Sequence, residues 1–317
     1  MLDTEKLMML RAIAAEGSIA AAARELRYTR SAVSQQMTAL ERSAGTPLLV
    51  RSGNRVHLTP VAWRLVEHTE RILVELRAAE ATLRSDAGEV SGLIRVGVPF
   101  REGPAIMSSA LTSARQQFPR LEIKLAATAD ETGPDEVRHD RLDMVILSRF
   151  GASPPDSRPG LKEWTLGSDP LRLCVPADHR LAQAEGCSIA DLRDEHWVVS
   201  TAGQLGRMIT TLCLAAGYQP HVAATVDDVA TALGLVGIGW GVTVAPELTP
   251  AASDSKVRRL SLTGVDILRY TVLVVRDGEQ LSPRIAAVVS AVHAANSEVR
   301  RETVQNVQQN GRIAGPG

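Results

Sequence analysis

The stretch that most constrains this chain is GSIAAAARELRYTRSAVSQQMTALERSAGTPLLVR, from Gly17 to Arg51. Four consecutive alanines suit a helix that must approach another helix closely, because alanine joins high helix propensity to little bulk. Ser18 ahead of them is a good N-cap, since its hydroxyl can accept from a backbone N–H left unpaired in the first turn. That helix is expected to stop near Leu26, with Arg27, Tyr28 and Thr29 as a short connection. A second helix then runs from about Arg30 to Arg42, and Val33, Met37 and Leu40 make one narrow apolar stripe along it. Ser31, Ser34, Gln35 and Thr38 fall on the opposite side, where an ordinary surface helix carries Lys and Glu. Short hydroxyls and an amide, with Arg30 near the start, can donate and accept toward base edges without bringing negative charge near phosphates. Two short helices, a three-residue turn and this polar face make a helix-turn-helix pattern from Ser18 to Met37. The plainer alternative is the solvated face of a small helical bundle, and Ser31 has its own alternative as an N-terminal cap.

Beyond the second helix, LLVRSGNRVHLTP holds two β-prone runs, Leu48–Arg51 and Arg55–Leu58, joined by Ser52-Gly53-Asn54, a hairpin signal. Arg51 and Arg55 flank its tip, where guanidinium groups can meet phosphates or a minor groove. Residues 17–62 as a whole resemble the N-terminal winged helix-turn-helix of LysR-type transcriptional regulators. The matching residues are Ser18, the Ala-Ala-x-x-Leu ending at Leu26, Ser31-Ala32-Val33-Ser34-Gln35, Leu40-Glu41, Gly45-x-Pro47-Leu48, Arg51 and Leu58-Thr59. Leu49 stands where a Phe is common and Ala62 where a Gly is frequent. The resemblance implies a DNA-binding domain over 1–60. Its contacts with double-stranded DNA are expected from Ser18, Thr29, Arg30, Ser31, Ser34, Gln35, Thr38, Arg51 and Arg55.

Thr59-Pro60 opens the next helix, with Thr as cap and Pro at the first helical position. It runs without a breaker over 60–86. Ala62, Leu65, Thr69, Ile72, Leu76, Ala79 and Leu83 alternate in steps of three and four, a heptad seam. The alternatives are a helix docked on its own domain or one paired with a second chain. The resemblance implies the second, a dimer through this linker, with Leu65, Ile72, Leu76 and Leu83 in the seam, and a dimer of dimers beyond that.

SDAGEVSG, from Ser85 to Gly92, is a hinge by composition. After it, strands and helices alternate. Strands are expected at Leu93–Val98, Leu121–Ala127, Asp143–Leu147, Leu171–Val175, Trp197–Ser200, His221–Thr225, Gly241–Ala245 and Tyr270–Val275. Helices are expected at Pro104–Phe118, Gln204–Ala216, Asp227–Val236 and Pro283–Ala295. Such alternation predicts an α/β fold with parallel sheets. GLVGIGWGVTVAPEL and VPADHRLA are further points of resemblance to the LysR-type effector domain. That resemblance implies an α+β multidomain chain whose C-terminal part, 92–296, is a two-subdomain α/β effector domain like a periplasmic binding protein. Its subdomains would be 93–165 with 268–296, and 166–264, with 297–317 as a disordered tail. Ligands of open α/β sheets sit outside the carboxyl ends of strands, where helix N-termini present free N–H groups. The candidate effector residues are therefore Pro99, Phe100, Arg101, Thr128, Ser148, Ser200, Thr201 and Gln204, for a small organic molecule, anionic or aromatic. Phe100 departs from the Ser or Thr common there in the family, and Arg101 is either an anion partner or a solvated loop residue.

Charge and cysteines bear on the remaining function classes. The formal net charge of −1 argues against nucleic acid only on average. Residues 1–60 carry eight Lys and Arg against five Asp and Glu, a net of +3, and the remainder carries −4. Cys174, Cys187 and Cys213 are too few and too scattered for a disulfide scaffold or a zinc site, which leaves buried cysteine or a redox thiolate. GIGWG at 237–241 lies between a helix and a strand, the wrong order for a dinucleotide loop. Ser253-x-x-Lys256 lacks a partner motif, and there is no G-x-S-x-G or metal spacing of His. Neither an enzyme nor a resident cofactor or metal is expected. MLDTEKLMML is neither a signal peptide nor an anchor, and no apolar run reaches membrane length, so a bacterial cytosolic regulator is expected, with RNA polymerase as a further candidate partner. Two other readings are a small-molecule binding protein with secondary or lost control of DNA, and a winged-helix regulator with a different sensor module.

Overall fold

A computed structural model of the chain describes residues 2–52, 55–85, 90–98, 104–154, 158, 160–200, 203–249 and 254–296. It divides into two compact units with the boundary at Leu83/Arg84. The wing tip Gly53-Asn54, the centre of the 85–92 hinge and the 297–317 tail lie outside the described residues.

The first unit opens with α1 (Thr4–Glu16), α2 (Ile19–Glu25) and α3 (Arg30–Ala44). Each start is capped by the side chain of the residue before it. Asp3 accepts from Glu5 and Lys6, Ser18 from Ala21, and Thr29 from Ala32. Gly17 and Gly45, both in the left-handed region, end α1 and α3. Ala22 and Ala23 are buried in a core with Leu10, Ile13, Val33, Met37 and Leu40. The hairpin of β1 (Leu49–Ser52) and β2 (Arg55–Leu58) is antiparallel, with Leu49 opposite Leu58 and Ser52 opposite Arg55. Glu41 fixes it to α3, because one carboxylate oxygen accepts from both Leu48 and Leu49 N–H at 2.9 and 3.0 Å. α4 (Pro60–Ser85) follows. Thr59 caps it, accepting from Ala62 N–H while donating to Pro47 carbonyl.

The expected seam on α4 divides. Ala62 and Thr69 are buried in the first unit itself, and Leu65 packs against its core. Thr69 Oγ1 is spent on Leu65 carbonyl. Ile72, Leu76 and Leu83 are exposed, as is Val61 on the same side. The first half of the stripe is thus docked on the chain's own domain, and the second half is exposed.

The second unit has two subdomains. In the first, β3 (Gly92–Val98) pairs in parallel with β4 (Leu121–Ala127) and β5 (Met144–Gly151). α5 (Pro104–Gln117) precedes β4, and the short α6 (Gly133–Arg138) lies between β4 and β5. β6 (Leu161–Pro176) then passes into the second subdomain. There its far end pairs antiparallel with β10 (Thr243–Pro246) and β11 (Val257–Thr263), and β7 (Gly186–Ser188) runs parallel to β11. β8 (His196–Ser200) and β9 (His221–Val226) are parallel, with α7 (Gly203–Ala215) between them and α8 (Val229–Val236) after them. β12 (Leu268–Arg276) returns to the first subdomain, antiparallel to both β5 and β6, and a helix over 283–296, α9, closes the described chain.

The sheets are thus mixed, which corrects the expectation of parallel sheets. A strand that leaves one subdomain for the other must exit at the end where the parallel strands begin or end, so β6 and β12 run against their neighbours. β7, β11, α6 and the first ten residues of β6 went unread in the sequence. Two apolar layers sandwich the first-subdomain sheet. Ile94, Val96, Met144, Ile146 and Leu273 meet α9 residues Ile285, Val288 and Val292 on one face. Val145, Leu147, Val272 and Val274 meet Val137 of α6 on the other.

At the lower edge of that sheet Asp143, almost wholly buried, accepts from Arg95 N–H at 2.7 Å and Nε at 3.1 Å and from Arg276 Nη2 at 3.3 Å. Burial opposes its ionisation, but the hydrogen bonds and charge of Arg95, with Arg276, hold its carboxyl below the ordinary range. A depressed carboxylate lends stability above the unfolded value of about 4 and loses it as pH falls through the folded value. Asp143→Asn should cost about 3 kcal/mol near neutral pH, since it removes the carboxylate shared by the half-buried Arg95 and the buried Arg276 and leaves them only Asp140 and Glu279. Urea melts of the wild type and this variant should converge as pH falls below 4.

Candidate nucleic-acid interface and effector cleft

α3 presents two kinds of polar residue. Thr29, Ser18 and Thr38 are engaged locally. Thr29 and Ser18 oxygens accept as caps, and Thr38 donates to Ser34 carbonyl at 3.1 Å. Ser31 hydroxyl lies 3.1 Å from that of Thr29, so the cap is Thr29, and Ser31 supports it from the first turn. Ser34 is half-buried. Arg30 and Gln35 are exposed and make no hydrogen bond among the described residues, so their donors and acceptors are unspent. The backbones of Arg51 and Arg55 face each other's strand across the hairpin, through the pairs Arg51–Val56 and Ser52–Arg55. Their side chains lie outside the described residues. Tyr28, exposed in the turn, donates to Glu5 of α1 at 2.5 Å and so ties the turn to the first helix. This contact was not legible in the sequence, because it joins residues 23 positions apart.

Of the expected effector residues, Pro99, Phe100, Arg101 and Thr201 lie outside the described residues. Of the others, Thr128 follows β4, Ser148 lies in β5, Ser200 ends β8, and Gln204 opens α7. Thr128, just after β4, donates to Glu136 at 3.1 Å. Ser148, buried near the end of β5, gives its N–H to Asp130 at 2.8 Å. Glu136 and Asp130 thus meet the Thr128 hydroxyl and the Ser148 N–H. Ser200, at the end of β8, is buried, and its Oγ has no hydrogen-bond partner among the described residues. Gln204 in the first turn of α7 accepts from Phe150 N–H of β5 at 3.4 Å. One turn on, Arg207 Nη2 lies 2.8 Å from Glu131. These two contacts bridge the subdomains. Asp130, Glu131 and Arg207 escaped the sequence reading, although the acidic pair directly after a strand was the available signal.

All three cysteines are buried, and none is a disulfide partner. Burial, aided by Asp191 at Cys187, pushes the Cys174 and Cys187 thiols up to about 11, and burial raises Cys213 as well. Each is therefore protonated at neutral pH, the unreactive form toward an oxidant. Among the described residues no His, Cys, Asp and Glu group is placed to hold a metal ion, and no helix is long and apolar enough to cross a membrane.

A winged helix-turn-helix ahead of a two-subdomain α/β domain with a cleft defines a DNA-binding regulator with a ligand-responsive half. The comparisons agree. Residues 4–62 match the bacterial regulatory helix-turn-helix of the lysR family, and residues 87–297 match the LysR substrate binding domain. The chain belongs to the LysR family and is a DNA-binding transcriptional regulator with an effector-binding domain. The match over 87–297 displaces the reading of a different sensor module. Among its relatives, the HTH-type transcriptional regulator AlsR of Bacillus subtilis is 28% identical over 83% of this chain and 84% of that protein. A probable hydrogen peroxide-inducible genes activator of Streptomyces viridosporus is 28% identical over 77% of each. Among solved structures, a cysteine mutant of OxyR from Corynebacterium glutamicum has a TM-score of 0.56 at 21% identity, covering 98% of this chain and 96% of that one. Full-length BenM has a TM-score of 0.55 at 21% identity, covering 94% and 97%.

α7 can approach β8 only because residue 206 is glycine. A Cβ there would stand 1.9 Å from Ser200 carbonyl oxygen, which is backbone and cannot swing aside. Gly206→Ala should therefore cost at least about 2 kcal/mol and shift the start of α7 off Ser200. A thermal melt as high as that of the wild type would show that the approach is looser than described.

Proposed function

We propose that the chain reads DNA as a dimer, with α3 in the major groove and the β1–β2 wing on the backbone, and that a small organic effector in the cleft tunes this binding. The observation that carries the reading is the unspent pair Arg30 and Gln35 on the exposed face of α3, beside caps that fix the helix start. An amide at Gln35 can pair bidentately with adenine, and Arg30 can meet guanine or phosphate. Ser31, Ser34 and Thr38 stand around them, with Thr29 and Ser18 holding the backbone that approaches phosphates. Arg51 and Arg55 act on the wing. Exposed Ile72, Leu76 and Leu83 make the pairing surface of α4, and Leu65 is turned toward its own core. Pairing of two dimers and a contact with RNA polymerase extend the same reading.

For the effector, Asp130 and Glu136 already serve the strand ends of the first subdomain, so a carboxylate is best held from the second, where Ser200 Oγ is unspent. Thr201 and Gln204 follow Ser200 in the sequence, and Pro99, Phe100 and Arg101, next in sequence after β3, complete the expected set. Coupling of about 1–3 kcal/mol between this site and DNA suffices for regulation. The reading needs no resident cofactor, metal or catalytic step, and it places the protein in the bacterial cytosol with its DNA.

Fluorescence anisotropy with DNA from upstream of the gene tests the contacts. Gln35→Ala should lose about 1–3 kcal/mol of discrimination at one base pair and leave the salt slope unchanged. Arg55→Ala should weaken all sequences alike and lower that slope by about one. Unaltered sequence preference in the Gln35 variant would remove α3 from the groove. No binding by the wild type at any salt would favour a small-molecule binder that has lost DNA control. For assembly, Leu76→Asp should sediment as a smaller species and lose specific binding while its second unit stays folded; a variant that sediments like the wild type counts against pairing through α4.

A further inference from the structure

Glycine stands in the left-handed region just past α1, α3 and α7, as Gly17, Gly45 and Gly217 at φ 67°, 68° and 81°. It is the usual residue there, because a Cβ in that conformation crowds the following carbonyl oxygen. Past α2 and α6 the same place is taken by Arg27, at φ 59°, and Asp140, at φ 62°. Among the described residues these are the non-glycine positions with positive φ. Asp140 has an internal reason to be there. Its carboxylate lies 3.2 Å from Nη2 of both Arg95 and Arg276, so the strained backbone aims a side chain that the first-subdomain sheet uses. Arg27 has no such reason. Its side chain is exposed and makes no hydrogen bond or ion pair among the described residues.

The Arg27 backbone is nevertheless held from both sides. Arg27 N–H donates to Arg24 carbonyl at 3.2 Å, and Tyr28 N–H donates to Ala23 carbonyl at 2.8 Å, which closes α2. Tyr28 hydroxyl is tied to Glu5 of α1, and Thr29 caps α3. The turn cannot relax, and nothing inside the chain offsets the strain. Arg24, in the last turn of α2, already complements the negative end of that helix. A strained position with an unengaged cation points to a partner outside the chain, and an anionic one. Arg27 lies three residues before Arg30, at the entrance to the helix that the reading above puts in the major groove. We propose that Arg27 is a DNA-backbone contact, a guanidinium that the left-handed turn aims at a phosphate beside that groove. The inference rests on the placement of α3 in the groove. A planar guanidinium suits a phosphate, and such a contact carries affinity and orientation without reading sequence.

The test pairs DNA binding with thermal melting, on the full chain. Arg27→Gly and Arg27→Asn both tolerate the left-handed region and both remove the charge. Each should melt at or above the wild type. Each should also bind DNA from upstream of the gene and an unrelated duplex about fivefold to tenfold more weakly at low salt, and lower the salt slope by about one per protomer. Sequence preference should not change. Arg27→Lys should bind with the wild-type slope. The proposal falls if Arg27→Asn keeps the wild-type affinity and slope, the result expected if the guanidinium serves an acidic protein instead. It falls if both uncharged variants melt several degrees lower, which would make Arg27 a structural strut, or if Arg27→Lys loses the slope as they do. An altered sequence preference in Gln35→Ala beside an unaltered Arg27→Asn would sink this contact alone, and a wild type that binds neither duplex would sink it together with the placement of α3.

Discussion

The ion pair between Asp169 and Arg269 sits where β6 and β12 pass from one subdomain to the other. It is bidentate, at 2.9 and 3.1 Å, with side chains 6% and 10% exposed. Asp169 also accepts Leu248 N–H at 3.0 Å, so the pair ties the two crossing strands to the chain leaving β10. Taking two charges out of water costs about what their attraction returns, so the value of such a pair lies in specification more than in net stability. It is incompatible with any other register of β6 on β12, because a shift by one residue would turn one partner to the opposite face. The cleft, both sheet halves and the bridges from α7 all depend on that register.

Above the pair, the β6–β12 ladder slips once, between Thr271 and Val272. A slip of this kind bends a strand and raises its local twist. Flexure between the subdomains is therefore best accommodated between the pin and the slip, a stretch of about two residues on each strand. Gln204 on Phe150 N–H and Arg207 on Glu131 also join the two subdomains. Both contacts are long or well exposed, the kind that yields to a ligand at small cost.

Much of the first unit was legible in the sequence because its signals are local. Ser18, Thr29, Gly17 and Gly45 act on residues within four positions, as does Thr59 in its cap to Ala62, and the Val33–Met37–Leu40 stripe needs only the helical period. The second unit was less legible for a matching reason. Trp197–Ser200 and Leu121–Ala127 stood out as short strands. The first ten residues of β6, Leu161–Pro170, carry Lys162, Glu163, Gly167, Ser168 and Asp169, and their strand character comes from β12, about a hundred residues later. Ser148 was read as following its strand, but β5 runs on to Gly151, and its partner Asp130 lies 18 positions back. The seam on α4 shows a third limit. Periodicity finds an apolar stripe, and only the packing of Ala62 and Thr69 reveals that half of it belongs to the chain's own core.

The back-bond from Thr38 to Ser34 carbonyl has a consequence for heredity. It uses the Thr38 hydroxyl proton, and two exposed side chains of α3, Arg30 and Gln35, are left with their full hydrogen-bonding capacity. Such a helix can distinguish only a few base pairs, far too little information to single out one address among the roughly 10⁶ or more competing positions of a genome. Uniqueness must then be encoded in geometry, as the distance and phase between repeated half-addresses. Single-base drift within a half-address would be cheap over generations, whereas the insertion of one base pair between two of them would rotate one half about 35° out of phase and silence the site.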